Sequence, residues 1–349
     1  MVTETPSTLA PLLPDRHPQH DLFICDVADA VLKDVMQYME HPFYSLSKKP
    51  DTTETKPYKH NGYWVQIIPS VKGMATIYDK DILIYCISQI MAKLKRGEQV
   101  SQRVHISSRE LLIFANRGTA GKDYKALEEA LDRLAGTRIK TNIPTGDERQ
   151  IDGFGLIETY TFRRKNDDID GRMLWCEIKL SDWVFNAIRA QEVLTLHRDY
   201  FRLRKPIERR VYEIARKHCG QQPQWHIGLA ILLKKTGSKS PMKRFRQMIR
   251  HLVMHDHLPD YSVSFDAETD MVMFHNRGTL SPTLPAEADI GTVRLRLETY
   301  EEAKRLAPGW DVYHIEQEWR DWLTEPPRNP DAAFLGFCRK WYERRGPAR

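Results

Sequence analysis

One predicted helix carries the residues best suited to contacting another molecule. Between Pro241 and Met254, four polar side chains recur at spacings of three and four residues: Lys243, Arg246, Gln247 and Arg250. Side chains at these spacings share one face of a helix. The opposite face is apolar and consists of Phe245, Met248, Ile249 and Leu252. Arginine can fork onto guanine and glutamine onto adenine in the major groove, so this pattern is typical of a DNA recognition helix.

The chain around this helix is strongly basic. Residues 198–250 contain fifteen lysines and arginines against three acidic residues, a local charge of +12 in a chain whose net charge is +6. No acidic residue occurs between Trp225 and His255, whereas an ordinary solvated helix face carries balancing acids. The block indicates a polyanionic partner, with nucleic acid ahead of a membrane surface. The DNA contacts predicted here are Lys235, Lys239, Ser240, Lys243, Arg244, Arg246, Gln247 and Arg250.

A second predicted helix, 122–135, has the polarity of a reader that enters the groove end-on. Lys122 and Lys125 lie in its first turns, and its acidic residues lie further along. The turn before it, with Arg117 and Thr119, offers backbone amides to a phosphate. We therefore predict these four residues as DNA contacts. The alternative is a charged surface helix with ordinary pairs four residues apart.

Basic residues also lie in the strands that follow this helix. Arg138, Arg163 and Arg164 are predicted to contact the DNA backbone from a wing. The alternative is an edge strand that charge protects from pairing with another chain.

The order of elements around both helices predicts an α+β fold with two tandem winged-helix domains. Each consists of a helix, a second helix, a tight turn, a third helix and a β-hairpin. The predicted helices cover 79–96, 108–116, 122–135, 206–218, 228–235 and 241–254, and the predicted hairpins cover 154–180 and 261–274.

Composition divides the chain into five parts. Residues 1–60 are expected to be mostly flexible apart from a short helix over 26–39, because they are poorly patterned and rich in proline and threonine. The first winged helix covers 61–197 and the second 198–278. A linker, 279–291, leads to a helical tail, 292–349, whose many aromatic residues must pack against the chain itself or a partner.

Three patterns typical of enzymes or metal sites are incomplete. A phosphate-binding loop would need glycine at 116 and a hydroxyl residue at 123, where the chain has Asn116 and Asp123. His255 and His257 resemble the histidine pair of metal-dependent nicking enzymes, but the residue between them is acidic rather than apolar. His251 and His255 lie one helical turn apart without an evident third zinc ligand. We predict no catalytic residue, no metal and no cofactor.

Cysteine usage and hydropathy favour a cytoplasmic protein. The five cysteines are odd in number and far apart in sequence, which argues against a disulfide framework. No apolar run reaches the length of a membrane span, and the N-terminus lacks the basic and apolar regions of a signal peptide.

Several segments together resemble the replication initiator protein A family of plasmid initiators. They are the second helix with its turn (108–118), the third helix (124–134), the basic helix (209–216) and three C-terminal stretches, 307–311, 318–320 and 334–338. The resemblance covers residues 63–342. It implies binding to direct repeats at an origin, recruitment of host helicase machinery and repression of the initiator's own promoter. It brings no catalytic residue.

The function predicted from the sequence is non-enzymatic initiation of plasmid replication. The expected partners are double-stranded DNA with direct repeats and a host helicase or initiator protein, and a homodimer is compatible with the sequence. Two alternatives stay open: a transcriptional repressor with tandem winged helices, and a metal-dependent origin-nicking endonuclease using His255 and His257.

Overall fold

The computed structural model divides the chain into two compact units, residues 1–279 and 280–349. The residues that it describes are 12–17, 32–47, 49–60, 62–145, 153–164, 173–279, 295–308, 310, 312, 315–316, 318–319, 327 and 329–346. The predicted linker beyond Thr279 and the start of the predicted helix over 26–39 lie outside these residues.

The first unit contains both winged helices. Its elements up to residue 195 are β1 (Lys33–Val35), α1 (Met36–Glu40), β2 (Tyr58–His60), β3 (Tyr63–Ile68), α2 (Lys80–Lys95), β4 (Arg103–Ser107), α3 (Ser108–Phe114), α4 (Gly121–Gly136), β5 (Arg138–Thr141), β6 (Phe154–Gly155), β7 (Ile157–Arg164), β8 (Met173–Leu180), α5 (Asp182–Arg189) and β9 (Val193–Thr195). After a 3-10 helix (Arg198–Arg202) come α6 (Pro206–His218), β10 (Gln224–Gly228), α7 (Leu229–Thr236), α8 (Met242–His255), β11 (Tyr261–Asp266) and β12 (Met271–Asn276).

The first winged helix consists of α2, β4, α3, α4 and the hairpin of β7 and β8. Its antiparallel sheet has the order β4-β8-β7, so the strand between the first two helices pairs with the last strand of the hairpin. Val104 and Ile106 alternate with exposed residues along β4 and are both buried, so this face of the strand packs toward the helices. Leu127 and Leu131 of α4 are also buried there. The strand β4 is not among the elements predicted from the sequence, although its side chains alternate between exposed and buried.

The second winged helix repeats this connectivity with α6, β10, α7, α8 and the hairpin of β11 and β12. Its sheet has the order β10-β12-β11, again with the outer strand contributed from between the first two helices. Phe245, Ile249 and Leu252 of α8 are buried, as the helical spacing predicts. The predicted tandem winged-helix fold is confirmed.

A further four-stranded sheet, in the order β2-β3-β5-β6, belongs to the first domain. Its strands β5 and β6 lie in the chain between α4 and the wing hairpin. Arg138 is the first residue of β5 and pairs with Ile68 of β3. The prediction that Arg138 lies on the wing is therefore wrong, because the chain builds a separate sheet before the wing begins.

Residues 33–60 differ from the flexible segment expected there. Lys33–Val35 form a strand paired with β9 rather than the predicted helix, which begins only at Met36. Tyr38 and Phe43 are fully buried, and the ring of Tyr38 lies 5.6 Å from that of Trp183. The proline and threonine content of this segment led to the prediction of flexibility. Its few large apolar side chains nevertheless pack between other elements.

Buried charges join this N-terminal segment to both winged helices. The Nζ of Lys80, at the start of α2, lies 2.5 Å from Asp34 Oδ2 and 2.9 Å from Glu213 Oε1 of α6. All three side chains are at most 1% exposed. Because a charge buried without a partner is costly, β1, α2 and α6 must assemble together.

The neighbouring arginines of α6 are internal as well. Arg209 Nη1 lies 2.7 Å from Asp81 Oδ1, and Arg210 Nη1 donates to the backbone carbonyl of Tyr38 at 2.7 Å. Arg216 is buried and donates to the carbonyl of Thr195. Part of the basic block therefore neutralises the protein's own interior, and the sequence overstates the charge on the surface.

The second unit has a helical core of its own. It contains α9 (Leu297–Leu306) and α10 (Pro330–Arg345), and its buried side chains are Ala303, Ala307, Val312, Ile315, Trp319, Phe334, Cys338 and Trp341. The rings of Trp319 and Phe334 lie 5.2 Å apart. The aromatic residues of the tail thus pack against one another.

Breaking the buried charge cluster should cost much more stability than breaking an exposed ion pair. Glu213→Gln leaves Lys80 and Arg210 without their shared carboxylate, so we expect the free energy of unfolding to fall by about 3–5 kcal/mol. Denaturant titration followed by circular dichroism measures this change.

The matched control is Glu177→Gln, which breaks an exposed pair with Arg103 at 2.7 Å. Exposed pairs contribute about 0–1 kcal/mol, so this variant should unfold almost as the parent protein does. Equal losses from the two substitutions would contradict a structural role for the buried cluster.

Candidate nucleic-acid interface

The predicted recognition helices are α4 and α8, and they are called the first and the second reader here. The second reader follows a tight turn after α7. Gly237 ends α7 in the left-handed conformation, with φ of +69°. Pro241 occupies the position before the first helical residue, and the helix has no side-chain cap there. The backbone N–H of Ser240 instead donates to Ser238 Oγ at 3.2 Å. Ser240, one of the predicted DNA contacts, is half-buried in this turn, and the helix begins one residue later than predicted.

The exposed face of α8 presents four of the predicted contacts together. Lys243, Arg244, Gln247 and Arg250 are all exposed. They lie opposite the buried Phe245, so one side of the helix holds the core and the other faces outward. Arginine, lysine and glutamine are the side chains that read base edges and neutralise phosphates in a major groove.

Arg246 has a different role from its neighbours on this helix. Its Nη2 and Nε donate to the two carboxylate oxygens of Asp270 at 2.6 and 3.1 Å. Asp270 lies at the turn between β11 and β12, so the bidentate pair ties the recognition helix to its own wing. Arg250 keeps its exposure while its guanidinium lies 5.8 Å from the ring of Phe265 on β11.

The two lysines before α8 have acidic partners from the N-terminal segment. Lys235 is 4% exposed, and its Nζ lies 3.3 Å from Glu40 and 3.2 Å from His218. Burial lowers the pKa of Lys235, although Glu40 opposes that effect. The predicted DNA contact at Lys235 is contradicted by this burial. Lys239 remains exposed, and its Nζ lies 2.6 Å from Asp51 Oδ2.

The first reader, α4, exposes its basic first turns as the sequence predicts. Lys122 and Lys125 are exposed, whereas Tyr124 and Leu127 are buried. The carboxylate of Asp123 accepts the backbone N–H of Ala120 at 3.0 Å. The turn that resembles a phosphate-binding loop is thus an ordinary helix start, in which an aspartate of the chain occupies a backbone donor.

Two other predicted contacts precede α4. Thr119 is half-buried in the turn. Arg117 donates to the carbonyl of Tyr78 and lies 3.0 Å from Asp81 Oδ2, so its charge is directed into the domain rather than toward a ligand. The same carboxyl group of Asp81 also pairs with Arg209 of α6. Sequence spacing could not reveal this partner, 36 residues away from Arg117.

The first wing, β7 and β8, carries Arg163 and Arg164 at the end of β7. Arg163 is exposed, with its guanidinium 5.6 Å from the ring of Trp175 on β8. The residues between the two strands, 165–172, lie outside the described part of the chain. Arg138 donates to the carbonyl of Gly153 within the separate sheet.

The three histidines near the end of α8 do not form an open site. The Nε2 atoms of His251 and His255 lie 2.9 Å apart. The Nε2 of His257 lies 3.2 Å from Glu208 Oε1, and its side chain is 4% exposed. No group of three His, Cys, Asp or Glu side chains is arranged to hold a metal among the residues described. This geometry gives no support to the pair of His255 and His257 as nickase ligands.

Comparisons with known proteins agree with this architecture. The sequence profile of the family Replication initiator protein A matches residues 33–263. The chain belongs to this family. It is 35% identical over 261 residues to a "Putative replication protein" of Wigglesworthia glossinidia brevipalpis, covering 74% of this chain and 94% of the relative. The family inferred from the sequence is confirmed, and the protein has a replication initiator role. The match begins at residue 33 rather than 63 and ends before the three C-terminal stretches that contributed to the resemblance.

Solved structures of replication initiators are similar to the chain at low sequence identity. Domains 2 and 3 of RctB superpose with a TM-score of 0.50 at 12% identity, covering 69% of this chain and 98% of that chain. The Pi initiator protein in complex with iteron DNA gives a TM-score of 0.42 at 15% identity, over 58% of this initiator and 90% of that chain. Within the described residues of the initiator, no helix is long and apolar enough to cross a membrane.

Arg250→Ala and Asp270→Asn should change DNA binding in opposite directions. Loss of the Arg250 guanidinium should weaken binding to the specific site by about 1–3 kcal/mol if it forks onto guanine. Loss of the Asp270 charge releases Arg246 and should tighten binding to any duplex. Fluorescence anisotropy with specific and scrambled duplexes measures both changes.

Asp266→Asn is the control, because it removes an equal charge from the same hairpin and Asp266 bonds Thr269 rather than α8. An equal gain from Asp266→Asn and Asp270→Asn would assign the effect to net charge alone. Unchanged specific affinity in a folded Arg250→Ala protein would place base recognition elsewhere than on this face of α8.

Proposed function

We propose that the protein initiates plasmid replication by binding repeated double-stranded DNA sites at an origin through α4 and α8. The observation that supports this most strongly is the acid-free exposed face of α8, which consists of Lys243, Arg244, Gln247 and Arg250. An exposed face of this composition on the third helix of a winged helix matches the major groove in size and chemistry. The membership of the replication initiator family supports the biological role.

The two readers differ in how they would contact DNA. The face of α8 is basic along its length, whereas α4 is basic only at its first turns, near Lys122 and Lys125. We infer that α4 enters the groove with its N-terminal end and that α8 supplies most of the phosphate neutralisation. Arg163 of the first wing would contact the adjacent backbone.

The remaining parts of the proposal concern partners and chemistry. The C-terminal unit, which has its own aromatic core, is the part that we assign to recruiting the host helicase or initiator machinery. The protein acts without catalytic residues, metal or cofactor, in the bacterial cytoplasm. The proposal also includes binding of the protein to DNA as a homodimer.

Footprinting tests DNA binding by the full chain. Two readers on one face of B-DNA lie about 34–36 Å apart, so one chain should protect about 20 base pairs with two clusters of major-groove contacts. The probe is the DNA that flanks the protein's own gene, examined by nuclease protection and methylation interference. Protection without a repeat array, or a single contact cluster, would contradict initiation through two readers.

The same reactions test the absence of enzymatic chemistry. Incubation of the protein with Mg²⁺ and supercoiled plasmid carrying the protected DNA should leave the plasmid unnicked. A covalent protein–DNA adduct would overturn this part of the proposal and favour the nickase.

Removing the C-terminal unit should separate DNA binding from replication. A chain ending at Thr279 keeps both winged helices and their core, so it should bind the same duplex with unchanged affinity but fail to maintain a plasmid in cells. Trp319→Ala, which empties the core of the second unit, should act in the same way.

The truncated protein must keep residues 33–62, because Tyr38 and Phe43 are part of the core of the first unit. Thermal unfolding of the fragment serves as its control. A folded fragment that no longer binds the duplex would make the second unit part of the DNA interface.

A further inference from the structure

A segment before the first winged helix spans both DNA-binding domains. It comprises residues 33–47 and 49–55 and is called the strap here. Its strand β1 pairs with β9, and its following residues run past the turn that leads into α8. Because the strap contacts both domains by separate groups, it can couple their positions.

On the first domain the strap is fixed by backbone hydrogen bonds. The N–H of Ser45 donates to the carbonyl of Ala75 at 2.9 Å. The carbonyl of Ser45 accepts the N–H of Ile77 at 3.0 Å. The carbonyl of Asp51 accepts the N–H of Met74 at 2.8 Å. Bonds of this kind do not depend on side-chain identity, so this half of the strap is a firm anchor.

On the second domain the strap meets the turn between α7 and α8 at two points. Pro42 lies against Gly237 so closely that a methyl group on Gly237 would lie 2.6 Å from Pro42 Cβ. Asp51 Oδ2 lies 2.6 Å from Lys239 Nζ. A cavity of about 750 Å³ is lined by residues of both the strap and the turn, including these four.

A third connection lies immediately behind the turn. Glu40 of α1 pairs with Lys235 of α7 at 3.3 Å. Arg210 of α6 donates to the carbonyls of Tyr38 and Met39 at 2.7 and 2.9 Å. The strap therefore contacts the second domain at α6 and α7 as well as at the turn itself.

We propose that the strap sets the distance and rotational phase between α4 and α8, and with them the half-site spacing that the protein accepts. The inference rests on the proposed DNA binding through two readers. Adding one base pair moves a half-site by about 3.4 Å and rotates it by about one tenth of a turn, so a rigidly placed second reader rejects it. Asp51, Pro42 and Gly237 are positioning residues in this account, since they act through the start of α8.

The test compares two charge removals within the strap. Asp51→Asn loses the ion pair with Lys239, whereas Glu54→Gln removes an equal charge from a residue bonded to Gln66 of β3, in the first domain. Each full-length protein is titrated into fluorescein-labelled synthetic duplexes that carry both contact clusters with spacers shortened or lengthened by one or two base pairs.

The parent protein and Glu54→Gln should bind the duplex with the preferred spacing about tenfold or more tightly than the others. For Asp51→Asn we expect this difference in affinity to fall to about threefold or less. The discriminating readout is the ratio of affinities among spacings, because a loss of net charge shifts all of them alike. A ratio unchanged in Asp51→Asn would count against the ion pair as a positioning contact.

A second pair of variants tests the steric contact. Gly237→Ala places a methyl group against Pro42, whereas Gly278→Ala introduces a side chain at a similar positive φ, +72°, with no atom within 4 Å of the new Cβ. Gly237→Ala should shift or broaden the preferred spacing, and Gly278→Ala should not. Thermal unfolding verifies that each variant is folded at the assay temperature.

The outcomes separate this inference from the function on which it rests. If the parent protein contacts only one cluster on every duplex, the proposed two-reader function fails. If it contacts two clusters at one preferred spacing, and both Asp51→Asn and Gly237→Ala keep that preference, the function stands and the strap does not set the spacing.

Discussion

The connection between the two winged helices centres on the buried ammonium group of Lys80. Its two carboxylate partners, Asp34 and Glu213, come from the N-terminal strand and from the first helix of the second winged helix. A charge withdrawn from water must be compensated nearby, so the three segments are stable only in the arrangement that brings them together. Hydrophobic burial would tolerate sliding between the domains, whereas ion pairs and hydrogen bonds of fixed length restrict it.

The same cluster keeps part of the chain's positive charge inside the protein. Arg209 and Arg210 lie in the most basic part of the chain, yet they neutralise Asp81 and Glu213 inside the first unit. What remains on the surface is concentrated on α8, where exposed residues such as Arg250 have no acidic neighbours within their own helix. The electrostatic attraction for a polyanion is therefore directed toward one helix face rather than spread over the domain.

Acidic residues outside α8 limit how its basic residues move. Asp270 of the wing holds Arg246, and Asp51 of the strap holds Lys239 at the preceding turn. Each contact removes some positive charge from the surface and in exchange orders a segment beside the reader. In the proposed function such order helps to distinguish the repeated sites from other duplex DNA, because non-specific attraction alone does not distinguish sequences.

Local patterns in the sequence are sufficient to predict the tandem winged-helix fold and the outward face of α8. Those features follow from local periodicity: Phe245 and Ile249 on one side and Arg250 on the other are set by 3.6 residues per turn. Which of the predicted lysines and arginines are exposed at the interface follows from the tertiary structure alone. Lys235 is buried against Glu40, 195 residues away, and Arg138 lies on a sheet separate from the wing. Spacing along the chain defines a helix face, but pairing between charges depends on distances in space that no local pattern contains.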